Sequence, residues 1–237
     1  MLHPLPPPSV LLWALVPCAG VGQRAGGEGP KQYQSVGDEP MVRHTLRALA
    51  GVSRLAGGVL AVAPGDKFFE HAPPADPRFA VVACGGATRA RTVANGLTAL
   101  AERGAAADDW VLVHDAARCL VTPDRIDALI DACLEDAVGG LLAQPLADTL
   151  KASHGDRAHS TLDRRDRWLA QTPQMFRLGL LADALAHAGD AVTDESGAVE
   201  AMGLQPRLVP GGAQNFKVTW PEDFALAAAV LAARNIG

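Results

Sequence analysis

The sequence predicts an α/β protein: a doubly wound, mostly parallel sheet with a protruding β-hairpin arm. Three observations support this. Short runs of strand length are apolar at nearly every position, as expected of parallel strands covered on both faces. These runs alternate with helical patterns, the β-α-β rhythm that implies right-handed crossovers. One long polar excursion, residues 145–172, interrupts that rhythm. At 237 residues, 49% hydrophobic and 20% charged, the chain has the size and composition of one globular domain spanning 1–237, arm included.

The first strand is expected at 10–16 and stops at Pro17. The run 9–19 has the length of a signal-peptide core, but no Lys or Arg precedes it, and a buried first strand explains the same residues. A helix is expected at 40–50, strands at 57–63 and 79–83, a helix at 89–103 and a strand at 110–114. The helix at 123–136 starts at Thr122-Pro123-Asp124, a cap followed by proline in the first turn. A strand at 139–143 follows. Residues 145–172 alternate weakly around Asp148–Lys151 and Ser160–Asp163, which fits either an arm that wraps a partner subunit or a loose surface excursion. Helices near 177–187 and 195–202, a short strand pair at 206–209 and 214–219, and a helix from Pro221 to Arg234 complete the chain.

The segment after the first strand is the most informative. From Pro17 to Gln32 it holds five glycines and two cations, Arg24 and Lys31. Glycine lets backbone N–H groups approach an anion, because no Cβ intervenes. The spelling excludes a Walker loop, since Lys31 lies between Pro30 and Gln32, and it excludes a dinucleotide loop, which runs directly into a helix. It reads as a polyphosphate cradle, the alternative being an ordinary surface loop.

In a doubly wound sheet the ligand lies beyond the carboxyl ends of the strands. Pro17, Gly85-Gly86 and Asp115-Ala116-Ala117-Arg118 all fall there. Asp115 is placed to hold Mg²⁺ against a polyphosphate or, alternatively, to pair structurally with Arg118. The stretch from Gly85 to Val93 turns into a helix whose free N–H groups suit a nucleotide. Lys217 is expected on a strand, either as a solvated edge residue or as part of the site. His114 is given no catalytic role.

The net charge of −5 leaves no footprint for nucleic acid. No apolar stretch approaches the roughly 20 residues that cross a bilayer, so no membrane partner is expected. Cys18, Cys84, Cys119 and Cys133 lack zinc or Cys-x-x-Cys spacing, and scattered reduced thiols point to the cytoplasm.

Taken together and in order, the motifs resemble the 2-C-methyl-D-erythritol 4-phosphate cytidylyltransferase family. They are Pro17-x-Ala-Gly-x-Gly, Pro30-Lys31-Gln32, Gly85-Gly86-x-x-Arg89, Val113-His114-Asp115-Ala-Ala-Arg118, Asp148-Thr149, Asp163-Arg164, Gln171-Thr172-Pro173-Gln174, Thr193-Asp194-Glu195 and Lys217-Val218-Thr219. The resemblance implies a homodimer of Rossmann-like nucleotidyltransferase fold. It would join CTP to 2-C-methyl-D-erythritol 4-phosphate with Mg²⁺, releasing pyrophosphate.

It further implies that Pro17, Ala19, Gly20 and Gly22 cradle the phosphates, and that Arg24 and Lys31 stabilise the transition state. Gly86 and Thr92 would lie at cytosine and ribose, with Gly85, Arg89, Ala116 and Arg118 also binding substrate. Asp115 would serve metal and acceptor. Lys217, with Thr149 and Arg164 from the partner's arm, would hold the acceptor phosphate, Arg164 and Lys217 counting among the catalytic groups. Cys18, Gln23, Ala87, Thr88, Thr92 and Cys119 depart from the commoner family residues, Ala87 and Thr88 standing where a polar or acidic pair is commoner; none of these changes removes a charged catalytic group. A ribitol 5-phosphate cytidylyltransferase, a sugar-phosphate nucleotidyltransferase with another base, and a non-catalytic nucleotide-binding dimer are the competing readings. The last has no use for the cations Arg24, Lys31 and Lys217 together with Asp115.

Overall fold

The computed structural model describes residues 10–20, 22 and 29–234. In chain order the strands are β1 (Leu12–Cys18), β2 (Ser35–Val36), β3 (Glu39–Pro40), β4 (Gly57–Val62), β5 (Phe79–Val82), β6 (Trp110–Val113), β7 (Gly139–Pro145), β8 (Leu150–His154), β9 (Arg157–Leu162), β10 (Trp168–Arg177) and β11 (Arg207–Pro210). The helices are α1 (Met41–Ala50), α2 (Arg89–Glu102), α3 (Pro123–Cys133), α4 (Leu178–Ala188), α5 (Glu195–Ala201) and α6 (Pro221–Arg234).

Seven strands form one sheet in the order β11-β7-β10-β6-β1-β4-β5. Every neighbouring pair is parallel except those of β10, which runs antiparallel to both β6 and β7. Both faces are covered, which explains the unbroken apolar runs. Along β1, Ala14 and Val16 pack with α1 and α3 through Val42, Leu49, Ile126 and Ile130. Leu15 points the other way, toward Val93, Leu97 and Leu100 of α2 and Leu181 of α4. A third cluster seats α6, through Ala227, on Val36, Met41, Leu120 and Val218. None of the described helices is long and apolar enough to cross a membrane.

Two expectations are corrected. Residues 168–172 are not part of the arm; they begin β10, a central strand. Its ladder is broken between Ala170 and Gln174, where polar side chains replace the apolar pattern. Residues 214–219 are not a strand: this extended segment joins no sheet, and Val218 N–H donates singly to Ala117 O at 2.9 Å. Lys217 is therefore carried by a loop, beside the turn that follows β6.

The arm is a two-stranded hairpin, β8 paired with β9, forming a sheet of its own. Every residue of β9 is exposed, and so are Trp168 and Leu169 at the arm's base.

Candidate active site

A cleft of about 460 Å³ opens at the carboxyl ends of β1 and β6. Pro17, Ala19, Gly20, Gly22 and Lys31 line it from the first loop, Gly86, Arg89 and Thr92 from the start of α2, Asp115 and Ala116 from the turn after β6, and Lys217 from the C-terminal segment. Gln32, Ala87, Thr88 and Ala117 also line it, and the sequence had not singled them out as contacts.

The described flanks of the first loop lie together. Gln32 Nε2 donates to Cys18 O at 2.7 Å, tying the far limb to the end of β1. Gly22 has φ +65°, and a Cβ there would fall 2.4 Å from Lys31 Cβ, so only glycine lets the two limbs close. Lys31 Nζ donates to Val218 O at 2.6 Å, which links the loop to the segment carrying Lys217.

On the opposite wall, Thr88 caps α2 by accepting from Arg91 N–H at 3.1 Å. Thr92 Oγ1 accepts from Gly86 N–H and donates to Thr88 O, both at 3.0 Å. That pair fixes the turn. Gly85 does not line the cleft; it packs behind it, where a Cβ would meet Ala19 Cβ at 2.4 Å.

Charge centres on Asp115, which is buried. Lys217 Nζ donates to Oδ2 at 2.7 Å, and Arg89 Nε donates to Oδ1 at 2.9 Å. Burial opposes ionisation of Asp115, but Arg89 and then Lys217 outweigh it and hold the carboxyl far below the usual range. Arg89 also forks onto Glu195, Nη1 to Oε1 at 2.7 Å and Nη2 to Oε2 at 3.0 Å. Glu195 is fully buried, and that burial raises its pKa against the pull of Arg89.

The role of Glu195 was missed. Its signal was the cap before it: Asp194 accepts from Gly197 N–H at 3.1 Å and starts α5, which points the next residue inward.

Behind Asp115 lies a polar relay. Asp115 N–H donates to Thr172 Oγ1 at 3.0 Å, and Thr172 Oγ1 and His114 Nδ1 are hydrogen-bonded at the same distance. His114 is fully buried, and burial lowers its pKa to about 4. An unfolded imidazole titrates near 6.5, so between those values the unfolded chain binds a proton that the folded chain refuses. Stability is therefore expected to fall as pH drops from 6.5 toward 4, by roughly 3 kcal/mol in total. His114→Asn should flatten that limb when unfolding free energies are measured across the window. An equally steep slope in the variant would place the acid sensitivity elsewhere.

The remaining candidates are dispersed. Arg118 pairs with no carboxylate among the described residues; it donates to Asn215 O at 2.7 Å and Ala170 O at 3.0 Å, bracing the turn outside the cleft lining. Thr149 and Arg164 sit on the exposed arm and do not line their own chain's cleft. Arg164 instead donates to Ala147 O, across the base of the arm. Arg24 lies outside the described residues.

Comparison with known proteins shows what this arrangement is similar to. Residues 12–233 match the family model for 2-C-methyl-D-erythritol 4-phosphate cytidylyltransferase (IspD). A bifunctional enzyme IspD/IspF of Albidiferax ferrireducens is 64% identical over 225 residues; the match covers 95% of this chain and 54% of that protein, so the chain spans about half its length. A 2-C-methyl-D-erythritol 4-phosphate cytidylyltransferase of Laribacter hongkongensis is 55% identical, with 94% and 97% covered. Among solved structures, a 4-diphosphocytidyl-2C-methyl-D-erythritol synthase superposes with a TM-score of 0.84 at 40% identity, covering 94% of this chain and 99% of that one. The Francisella tularensis cytidylyltransferase gives 0.79 at 30% identity, with 93% and 99% covered.

Proposed function

We infer that this chain, which belongs to the 2-C-methyl-D-erythritol 4-phosphate cytidylyltransferase family, transfers CMP from CTP to 2-C-methyl-D-erythritol 4-phosphate and releases pyrophosphate, a step of isoprenoid precursor synthesis. The observation that carries the reading is the convergence of Lys31, Asp115 and Lys217 on one cleft walled by a glycine-rich loop.

In the reaction an oxygen of the acceptor's phosphate monoester attacks the α-phosphorus of CTP. A new P–O bond forms, the bond to the bridging α–β oxygen breaks, and pyrophosphate departs with that electron pair. The attacking oxygen is already ionised, so no protein nucleophile is needed. What opposes the step is the meeting of two anions and the charge growing on the departing pyrophosphate. Alignment and fixed positive charge answer both. Lys31 lies on the phosphate loop and takes that role at the triphosphate. Lys217, held in place by Asp115, faces the acceptor phosphate.

Mg²⁺ is part of the proposal. Among the described residues Asp115 is the one carboxylate lining the cleft, and no cluster of three metal-binding side chains exists. Such a site fits an ion that arrives largely coordinated by triphosphate oxygens and water, with one carboxylate added. Asp115 Oδ2 keeps a lone pair beyond its contact with Lys217. Bound there, Mg²⁺ would neutralise phosphate charge.

The homodimer is proposed from the arm. Thr149 and Arg164 stand outside their own cleft, and Leu162, Trp168 and Leu169 are exposed along the hairpin and its base, as suits a surface that a second copy covers. The four cysteines are all free, in keeping with a cytoplasmic enzyme.

The test is pyrophosphate release, measured with each of four nucleoside triphosphates against methylerythritol and ribitol phosphates. Turnover should require CTP, methylerythritol phosphate and Mg²⁺, and Asp115→Asn should need more Mg²⁺ for its half-maximal rate. Preference for ribitol 5-phosphate would overturn the acceptor assignment, and full activity in excess chelator would overturn the metal.

A further inference from the structure

We propose that Glu195 is a positioning residue for the acceptor side of the site. It acts through Arg89 on Asp115 and so on Lys217. A guanidinium facing a single carboxylate favours a fork in which two N–H groups take both oxygens. Arg89 does not meet Asp115 that way. Its fork, Nη1 and Nη2, is taken by the two oxygens of Glu195, at 2.7 and 3.0 Å. What remains for Asp115 is the edge of the guanidinium: Nε and Nη2 each lie 2.9 Å from the same oxygen, Oδ1. Asp115 Oδ2 is thereby left to Lys217, at 2.7 Å.

The charges support the same division. Arg89 and Lys217 balance Asp115 and Glu195, so the quartet is neutral before substrate enters. Without the Glu195 charge, one uncompensated cation would stand beside a triphosphate and a phosphate monoester. Arg89 would then fork onto Asp115, displacing Lys217, or turn toward substrate. Glu195 is fully buried and does not line the cleft, so it touches no reacting atom. Its effect must pass through the side chains it holds.

The inference rests on the assignment of Lys217 to the acceptor, and the experiment separates the two. Glu195→Gln keeps the size of the side chain and removes its charge. Steady-state kinetics should show kcat/KM for the acceptor lowered roughly 10- to 100-fold, the scale of a misplaced group, while KM for CTP stays near that of the wild type. Arg89→Lys, which keeps the charge and loses the fork, should give the same split if Glu195→Gln folds poorly. In a Lys217→Ala background the Glu195→Gln penalty should largely disappear, because both changes act on one contact.

A lower melting temperature with unchanged kinetics, an equal loss for both substrates, or additive losses in the double variant would each overturn the positioning role. Acceptor kinetics left intact by Lys217→Ala alone would overturn the acceptor assignment and the inference with it.

Discussion

Lys31→Ala lowers kcat by about 10²–10³ while the dissociation constant for CTP changes far less; this is the largest single effect expected of a residue in the described site. On the proposed reading the charge that Lys31 meets is greatest in the transition state, on the α-phosphorus and the leaving pyrophosphate, so its loss should fall mainly on the chemical step. Position supports this. Lys31 opens a single helical turn, Lys31–Tyr33, at the end of the glycine-rich segment, and its ammonium reaches across to Val218 O, so it is held at the cleft and not trailing into solvent. Arg24→Ala is expected to behave alike, and Arg24→Lys to restore only part of the rate, because an ammonium lacks the planar fork. Paired measurements of kcat and CTP binding decide the matter. An unchanged kcat in Lys31→Ala would remove that residue from the chemistry.

A second large effect is expected from the arm. Arg164→Ala and Lys31→Ala chains should each be nearly inactive alone, yet recover activity when mixed, unfolded and refolded together. If Arg164 serves the partner's cleft, a mixed dimer has one site with both lesions and one with neither. Random pairing makes half the dimers mixed, so about one quarter of all sites become intact, as two-fold exchange requires. If Arg164 serves its own cleft, every site keeps one lesion and mixing restores nothing. Activity at the level of the separate variants, with mixed dimers shown to be present, would return Arg164 to its own subunit.

The parts of the fold legible in the sequence are those where one pattern served one purpose. β4 and β6 are buried on both faces, so their apolar runs had no competing reading, β1 had only a signal-peptide core against it, and α3 and α6 start at prolines where helices begin readily. β10 was hidden because it does two jobs. Its lower half, Met175 and Phe176, is core, whereas Gln171, Thr172 and Gln174 are buried polar groups bonded to Asn215, His114 and Asp194. Without those partners, so polar a stretch reads as a loop. Lys217 was misplaced onto a strand for the converse reason. Phe216, Lys217, Val218 and Thr219 alternate as a strand does, but what holds the segment is Asp115, Lys31 and Ala117 instead of a ladder. The residues of the Asp115 turn were legible; for Glu195 the Asp194 cap marked a helix start, but its partner Arg89, 106 positions away, had no signal beside it.

The way the arm joins the sheet has a consequence for how such an enzyme is assembled. β7 and β10 are adjacent antiparallel strands, with Pro145 directly opposite Trp168, so the arm occupies the place of the short turn that would close an ordinary hairpin. It is an insertion in a connection that the body already makes. The seven-stranded sheet has no topological need of it. What the insertion adds is Thr149 and Arg164, groups that the body alone does not supply. On the proposed reading the body carries the nucleotide loop together with Lys217 and Asp115, and the inserted hairpin would add Thr149 and Arg164 to the acceptor side. On that reading, lengthening or respelling this one turn would alter acceptor contacts while the seven-stranded sheet stays as it is.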